Sequence, residues 1–200
     1  MSKLERIIDL QKLLLQFNYL ERTLLLPRSA GKGDRNETDT EHSYSLAMIA
    51  WYVSQDLDHL DSNKCIRYAL VHDLLELHAG DTFAYGDASV QNTKNAREAA
   101  AVAKLQQDWA DFGDLHEAIQ AYEQRSDAES RFVYALDKIM PMIINYLSDG
   151  INYQKHGVIL DDVKRVKAAK VAVSPEVQAL YDELITLFEA KPQLFGSAAV

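Results

Sequence analysis

The chain has 200 residues, enough for one domain with a real core, and 48% of them are hydrophobic, which excludes a disordered chain. A formal net charge of −9 argues against a surface for duplex nucleic acid, since that needs clustered Lys and Arg. No stretch is long and apolar enough to span a bilayer, and the charged start Met1-Ser2-Lys3-Leu4-Glu5-Arg6 is not a signal peptide, so no membrane partner and a cytoplasmic location are expected. With only 8 Gly and 4 Pro, the chain has little punctuation and reads as all-α. Cys65 is the single cysteine and sits in the apolar pattern Cys65-Ile66-x-x-Ala69-Leu70, as a buried structural thiol would.

Leu4, Ile7, Ile8, Leu10, Leu13, Leu14, Phe17 and Leu20 recur at helical spacing and predict a first amphipathic helix. Leu24 to Thr40 breaks that pattern with Pro27, Gly31 and Gly33, and reads as a loop long enough to need a functional reason. A second helix is expected from near Glu41 to about Leu57, with Thr38, Asp39 and Thr40 as candidate caps. A third is expected from a Ser62 cap to about Leu77, with Gly80 ending it. Asp81 to Asn92 is a second irregular segment. Helices follow at about Thr93 to Trp109 and Leu115 to Glu123, and another runs from a Ser126/Glu129 capping box to about Ser148. Leu160 to Val171 also reads as helical, and Ser174-Pro175-Glu176 opens a last helix that stops before Pro192, with an exposed tail beyond. No repeat or linker divides this single domain.

The chemistry gathers where apolar helices carry residues they should avoid. Burying His, Asp or Glu without partners costs several kcal/mol. Yet Ala69-Leu70-Val71-His72-Asp73-Leu74-Leu75-Glu76-Leu77 sets three of them in its most apolar stretch. A lone His72 would be a satisfied core histidine; an adjacent His-Asp pair with Glu one turn on is harder to explain as packing. Glu41-His42-Ser43 opens the second helix toward the core. Ala135-Leu136-Asp137-Lys138-Ile139-Met140-Pro141 sets a carboxylate four residues before a proline, where the helix is expected to kink or loosen. Two imidazoles and two carboxylates suit one divalent ion such as Mn, Co, Fe or Zn, and suit Mg less well. Such an ion can polarise a phosphoryl group and lower the pKa of water.

The order His42, then His72-Asp73, then Asp137 resembles the HD superfamily of metal-dependent phosphohydrolases. Thr40-Glu41-His42-Ser43, Val71-His72-Asp73-Leu74-Leu75-Glu76 and Ala79-Gly80-Asp81 are similar to the branch containing bacterial 5′-deoxynucleotidases and related HD-domain hydrolases. The resemblance implies a single-domain helical bundle with its metal-site core at about residues 20–150 and C-terminal helices at about 160–191. It also implies His42, His72, Asp73 and Asp137 as metal ligands, with Glu76 handling a proton or the attacking water and Asp81 at the edge of the site. Deoxynucleotidases carry an Arg-Trp pair after their first helix; Glu21-Arg22-Thr23 supplies the arginine but not the tryptophan. Arg22 and Arg35 are therefore both candidates for the substrate phosphate, and His78 for the pocket wall. The resemblance further implies a homodimer. The expected activity is a phosphomonoesterase on nucleoside 5′-monophosphates or similar small phosphate esters. Its alternatives are hydrolysis of a pyrophosphate or phosphodiester in a signalling nucleotide, and a non-catalytic metal-containing binding module.

Overall fold

The computed structural model describes residues 1–27, 35–79 and 94–196, whose regular secondary structure is helical apart from one two-stranded ribbon. Helix α1 (Lys3–Asn18) begins at a Ser2/Glu5 capping box and buries Leu13 and Phe17. Strands β1 (Glu21–Leu25) and β2 (Asn36–Thr38) pair antiparallel, Glu21 opposite Thr38 and Leu25 opposite Asn36, with an irregularity between. The segment expected as a loop thus starts and ends as strands. Gly31 and Gly33 lie outside the described residues. Side-chain bonds hold the ribbon in place: Asn152 accepts from Leu25 N at 2.7 Å and donates to Leu25 O at 3.1 Å.

Of the three candidate caps, Thr38 starts helix α2 (Asp39–Ser54), bonding Glu41 N while the Glu41 carboxylate returns to Thr38 N. Helix α3 (Ser62–Val71) is capped by Asp61, which accepts from Asn63 N and Lys64 N, so Ser62 is its first helical residue instead of its cap. This helix was expected to reach Leu77. It ends six residues earlier, a turn occupies 72–75, and α4 (Glu76–Ala79) follows. The amides of Leu74, Glu76 and His78 each bond the carbonyl three residues back. Residues three apart are nearly eclipsed in such tight turns, so Asp73 and Glu76 fall on one side.

Helices α5 (Lys94–Asp108) and α6 (Gly113–Gln124) lie close to expectation. Arg125 takes a left-handed conformation, φ 50°, and Ser126 N is spent on Ala121 O. The next cap therefore moves on to Asp127, which with Ser130 forms the capping box of α7 (Ala128–Leu147), correcting the Ser126/Glu129 reading. Helix α7 runs unbroken through Pro141, and Asn145 Nδ2 donates to the Pro141 carbonyl at 2.8 Å. Helices α8 (Ile151–Lys155), α9 (Leu160–Val171) and α10 (Pro175–Glu189) follow, the last with Ser174 as cap and Pro175 in its first turn. Gly150, at φ 75°, lies against Leu194; a β-carbon there would meet the Leu194 carbonyl oxygen at 1.8 Å.

The principal core forms around α7, whose Phe132, Val133, Leu136, Ile139 and Met142 pack with residues of α2, α3, α9 and α10. Cys65 lies in it fully buried, as expected, and burial pushes its thiol up to about 12. A second cluster joins Leu13 and Phe17 of α1 to Leu74, Leu75, Leu105, Trp109 and Ile119. The tail after Pro192 is not exposed throughout. Leu194 is buried, and Phe195 stacks on Tyr153 with ring centroids 5.2 Å apart. No helix among the described residues is long and apolar enough to cross a membrane.

Candidate metal centre

Four elements deliver the site. His42 stands in the first turn of α2, directly after β2; His72 and Asp73 occupy the turn after α3; Asp137 lies mid-way along α7; Arg22 projects from β1. The described residues of the expected ligand set do converge. His42 Nε2 is 3.0 Å from Asp137 Oδ1, His72 Nε2 is 3.9 Å from the same oxygen, and His72 Nε2 is 2.8 Å from Asp73 Oδ2. The two imidazole centroids are 5.2 Å apart, and donor atoms of His42, His72 and Asp73 all fall within 4.8 Å of one another. Asp39, Asp73 and Glu76 form an overlapping group of the same tightness.

Hydrogen bonding fits this donor set to a cation. His72 Nδ1 donates to the Ala69 carbonyl at 2.8 Å, since a carbonyl can only accept. Its Nε2 is then left buried, without a hydrogen bond, and aimed at carboxylate oxygens. Such an atom needs a positive centre between itself and those oxygens. His42 has a carboxylate behind it: its Nδ1 is 3.3 Å from Glu37 Oε2 while Nε2 faces Asp137. A carboxylate behind a ligating imidazole fixes its orientation and raises its basicity. The electrostatics agree. Burial alone would disfavour an imidazolium at His42, but the Asp137 and Glu37 carboxylates override it and raise the group to about 9. Asp137 is driven well below the usual carboxylate range although burial opposes this, because Lys138 and both histidines face it. His42, His72, Asp73 and Asp137 could together hold a divalent ion. Tyr122, buried beside them, presents an edge to His72 at 5.9 Å and closes one wall.

The two arginine candidates part company. Arg22, 15% exposed at its side chain, reaches Asp73 Oδ2 at 2.5 Å, Asp39 Oδ1 at 3.2 Å and Glu37 Oε2 at 3.6 Å. Arg35 lies outside this group. Its guanidinium forks onto Glu41 at 2.7 and 2.6 Å and holds that carboxyl down to about 2. His78 is exposed near the end of α4. Asp81 lies outside the described residues.

Sequence reasoning passed over Glu37, Asp39 and Lys138. Glu37 and Asp39 are 2% and 0% exposed, and the crowding of acids just before His42 was their available signal. Lys138, whose Nζ is 2.5 Å from Asp137 Oδ2, stood beside a recognised carboxylate in an otherwise apolar run.

The family model described as "HD domain" matches residues 26–178, a stretch carrying all four of these ligand candidates. The chain belongs to the HD domain family. Among its HD-domain relatives, the Mus musculus protein named 5′-deoxynucleotidase HDDC2 is 32% identical over 155 residues, 76% of this chain and 75% of that protein. The Bos taurus and Homo sapiens proteins of the same name are 36% and 34% identical over 104 and 106 residues. Those stretches cover 51% and 52% of this chain, and only 49% and 50% of the relatives, so the matched part spans about half their length. A crystal structure described as a predicted metal-dependent phosphohydrolase from Magnetospirillum magnetotacticum MS-1 superposes with a TM-score of 0.76 at 25% identity, covering 96% of both chains. The helical architecture expected from the sequence is therefore that of an HD-domain protein.

Proposed function

We propose that this HD-domain chain is a divalent-metal-dependent phosphomonoesterase acting on nucleoside 5′-monophosphates. The observation that carries it is the convergence of two imidazoles and two carboxylates, with Arg22 and Glu76 beside them, on one buried floor. The names of the mouse, bovine and human relatives support the nucleotide as substrate. His42, His72, Asp73 and Asp137 would hold one ion; Mn, Co, Fe or Zn suits them. When bound, it supplies a Lewis acid for the phosphoryl group and lowers the pKa of water.

The chain's own residues do the rest. Arg22 presents a planar fork matched to phosphate oxygens, and its ion pairs to Asp73 and Asp39 orient it before substrate arrives. Glu76, on the same side of the turn as Asp73, accepts a proton from the attacking water and returns one to the leaving alcohol. Asp81 would orient substrate or water, as the family resemblance implies. Thr23 stands beside Arg22, where the resembling deoxynucleotidases carry tryptophan.

The purified protein with added Mn or Co should release phosphate from nucleoside 5′-monophosphates. Asp73→Ala should lose both metal and turnover, whereas Glu76→Gln should keep metal and lose about 10²–10⁴-fold in rate. If no ester turns over and Asp73→Ala carries as much metal as the wild type, the proposal is wrong.

We also infer a homodimer and a cytoplasmic location. The dimer is supported by adjoining apolar stripes that α1 and α2 leave in solvent: Leu4, Ile7 and Ile8 on one, Tyr44, Met48 and Trp51 on the other.

A further inference from the structure

We propose that Lys167 of α9 is a substrate-binding residue, whose ammonium holds the phosphate of the bound nucleotide opposite Arg22. This rests on the phosphomonoesterase reading and extends its binding site to the C-terminal helices.

Three observations lead to it. First, Lys167 sits on the wrong face for an ordinary lysine. Val163, Lys167 and Val171 form the buried stripe of α9, at 0%, 5% and 0% exposure, and both valines belong to the core built around α7. Lysine is almost never buried to this degree without a counter-charge. Second, Lys167 makes no ion pair with any described residue. Its neighbours at this end of the molecule do: Lys138 is committed to Asp137, and Lys164, on the same helix, to Glu189 at 2.7 Å. Third, it lies on the helix that packs against the one carrying Asp137. Helix α9 packs on α7, and the charges of Lys138, Asp137 and Arg22 all act on the Lys167 ammonium. Of these three cations, Arg22 and Lys138 already have carboxylate partners.

A phosphate dianion completes that arrangement. Burial and the nearby Lys138 charge bring the Lys167 ammonium down to about 8, the direction expected of a cation whose counter-ion has yet to arrive. Arg22 on β1 and Lys167 on α9 come from separate elements, and together they would supply two cations to one phosphoryl group. A charge-assisted hydrogen bond of this kind shifts affinity by roughly ten- to a hundredfold.

The test compares the wild type with Lys167→Met and Lys167→Arg, each loaded with Mn. Inorganic phosphate binding is read by calorimetry, and KM and kcat with a nucleoside 5′-monophosphate. Lys167→Met should keep its metal, weaken phosphate binding and raise KM by roughly tenfold or more, and change kcat far less; Lys167→Arg should recover much of the loss. A lysine serving only as packing would leave phosphate affinity and KM untouched, and its replacement by methionine would show only in thermal stability. Equal phosphate affinity in wild type and Lys167→Met, or no phosphate binding by the wild type, overturns the inference. A wild type that binds phosphate but hydrolyses no nucleotide defeats the phosphomonoesterase reading instead, and the phosphate comparison still decides Lys167.

Discussion

Glu37 reaches the metal centre through strand periodicity. In β2 it points inward between the half-buried Asn36 and Thr38, and this brings its carboxylate to 3.3 Å from His42 Nδ1. That approach leaves Nε2 as the nitrogen facing Asp137, so Glu37 should bias both the tautomer and the direction of that lone pair. Glu37→Gln should lower metal affinity by about 10- to 100-fold, as changes behind a ligating histidine typically do, while helical content stays the same. Titration of the apo-protein against a competing chelator measures this; unchanged affinity would remove Glu37 from the site. The ligand candidates themselves were legible because His72, Asp73 and Asp137 break apolar helical runs, where an ionisable group needs a reason. Glu37 and Asp39 broke no run. They lie in a polar stretch where acids look ordinary until the ribbon folds and one face is buried. Arg22 and Arg35 look alike in sequence for the same reason, and the fold separates them: Arg22 reaches Asp73 while Arg35 pairs with Glu41.

At the level of elements, helix ends rest on side chains that also tie elements together. Asp127 caps α7 by accepting from Ser130 N at 2.8 Å, and it receives Tyr68 Oη at 2.7 Å and Lys64 Nζ at 2.8 Å from α3. Burial would raise its pKa, but Lys64, Tyr68 and the cap bond outweigh that and bring it to about 2. A folded value below the unfolded one means stability that is fully present above about pH 4 and lost as pH falls toward 2. Asp127→Ala should cost about 1 kcal/mol from the cap alone, and more with the α3 contacts. Asp127→Asn keeps a cap but not the charge. Its deficit against the wild type should therefore be widest at neutral pH and shrink on acidification, as urea midpoints at pH 7 and pH 3 would show. A constant deficit would mean the charge contributes nothing. Helix centres here followed apolar periodicity closely. The ends departed where local bonding competed: Arg125 in the left-handed region shifted one cap by a residue, and the tight turn at 72–75 cut α3 short. That cut could not be read from hydrophobic spacing, because Leu74 and Leu75 are buried in the turn just as a continued apolar helix would be expected to bury them.

For the whole molecule, the all-helical class was legible because sparse Gly and Pro and long amphipathic runs leave few alternatives. The ribbon was not, since five- and three-residue strands carry too few side chains to show a period. The same amphipathic reading has a remainder on the surface. Helix α1 buries Leu13 and Phe17 but leaves Ile8 47% exposed, and α2, packed against it, leaves Trp51 52% exposed. Residues 44, 48, 51 and 52 recur at helical spacing on the outer side of α2, so Tyr44, Met48, Trp51 and Tyr52 make a continuous apolar stripe next to that of α1. Burying it against a second copy would remove the large side chains from water on both protomers at once, as a two-fold interface requires. Light scattering after size exclusion should give twice the chain mass at micromolar concentration. Ile8→Glu with Trp51→Glu should give the monomer with an unchanged circular dichroism spectrum and unchanged metal content. Each glutamate would meet its symmetry mate's apolar surface without a partner charge, a cost the free monomer never incurs. A wild type that is monomeric at every concentration, or a double variant that still pairs, would mean that these stripes are not the interface.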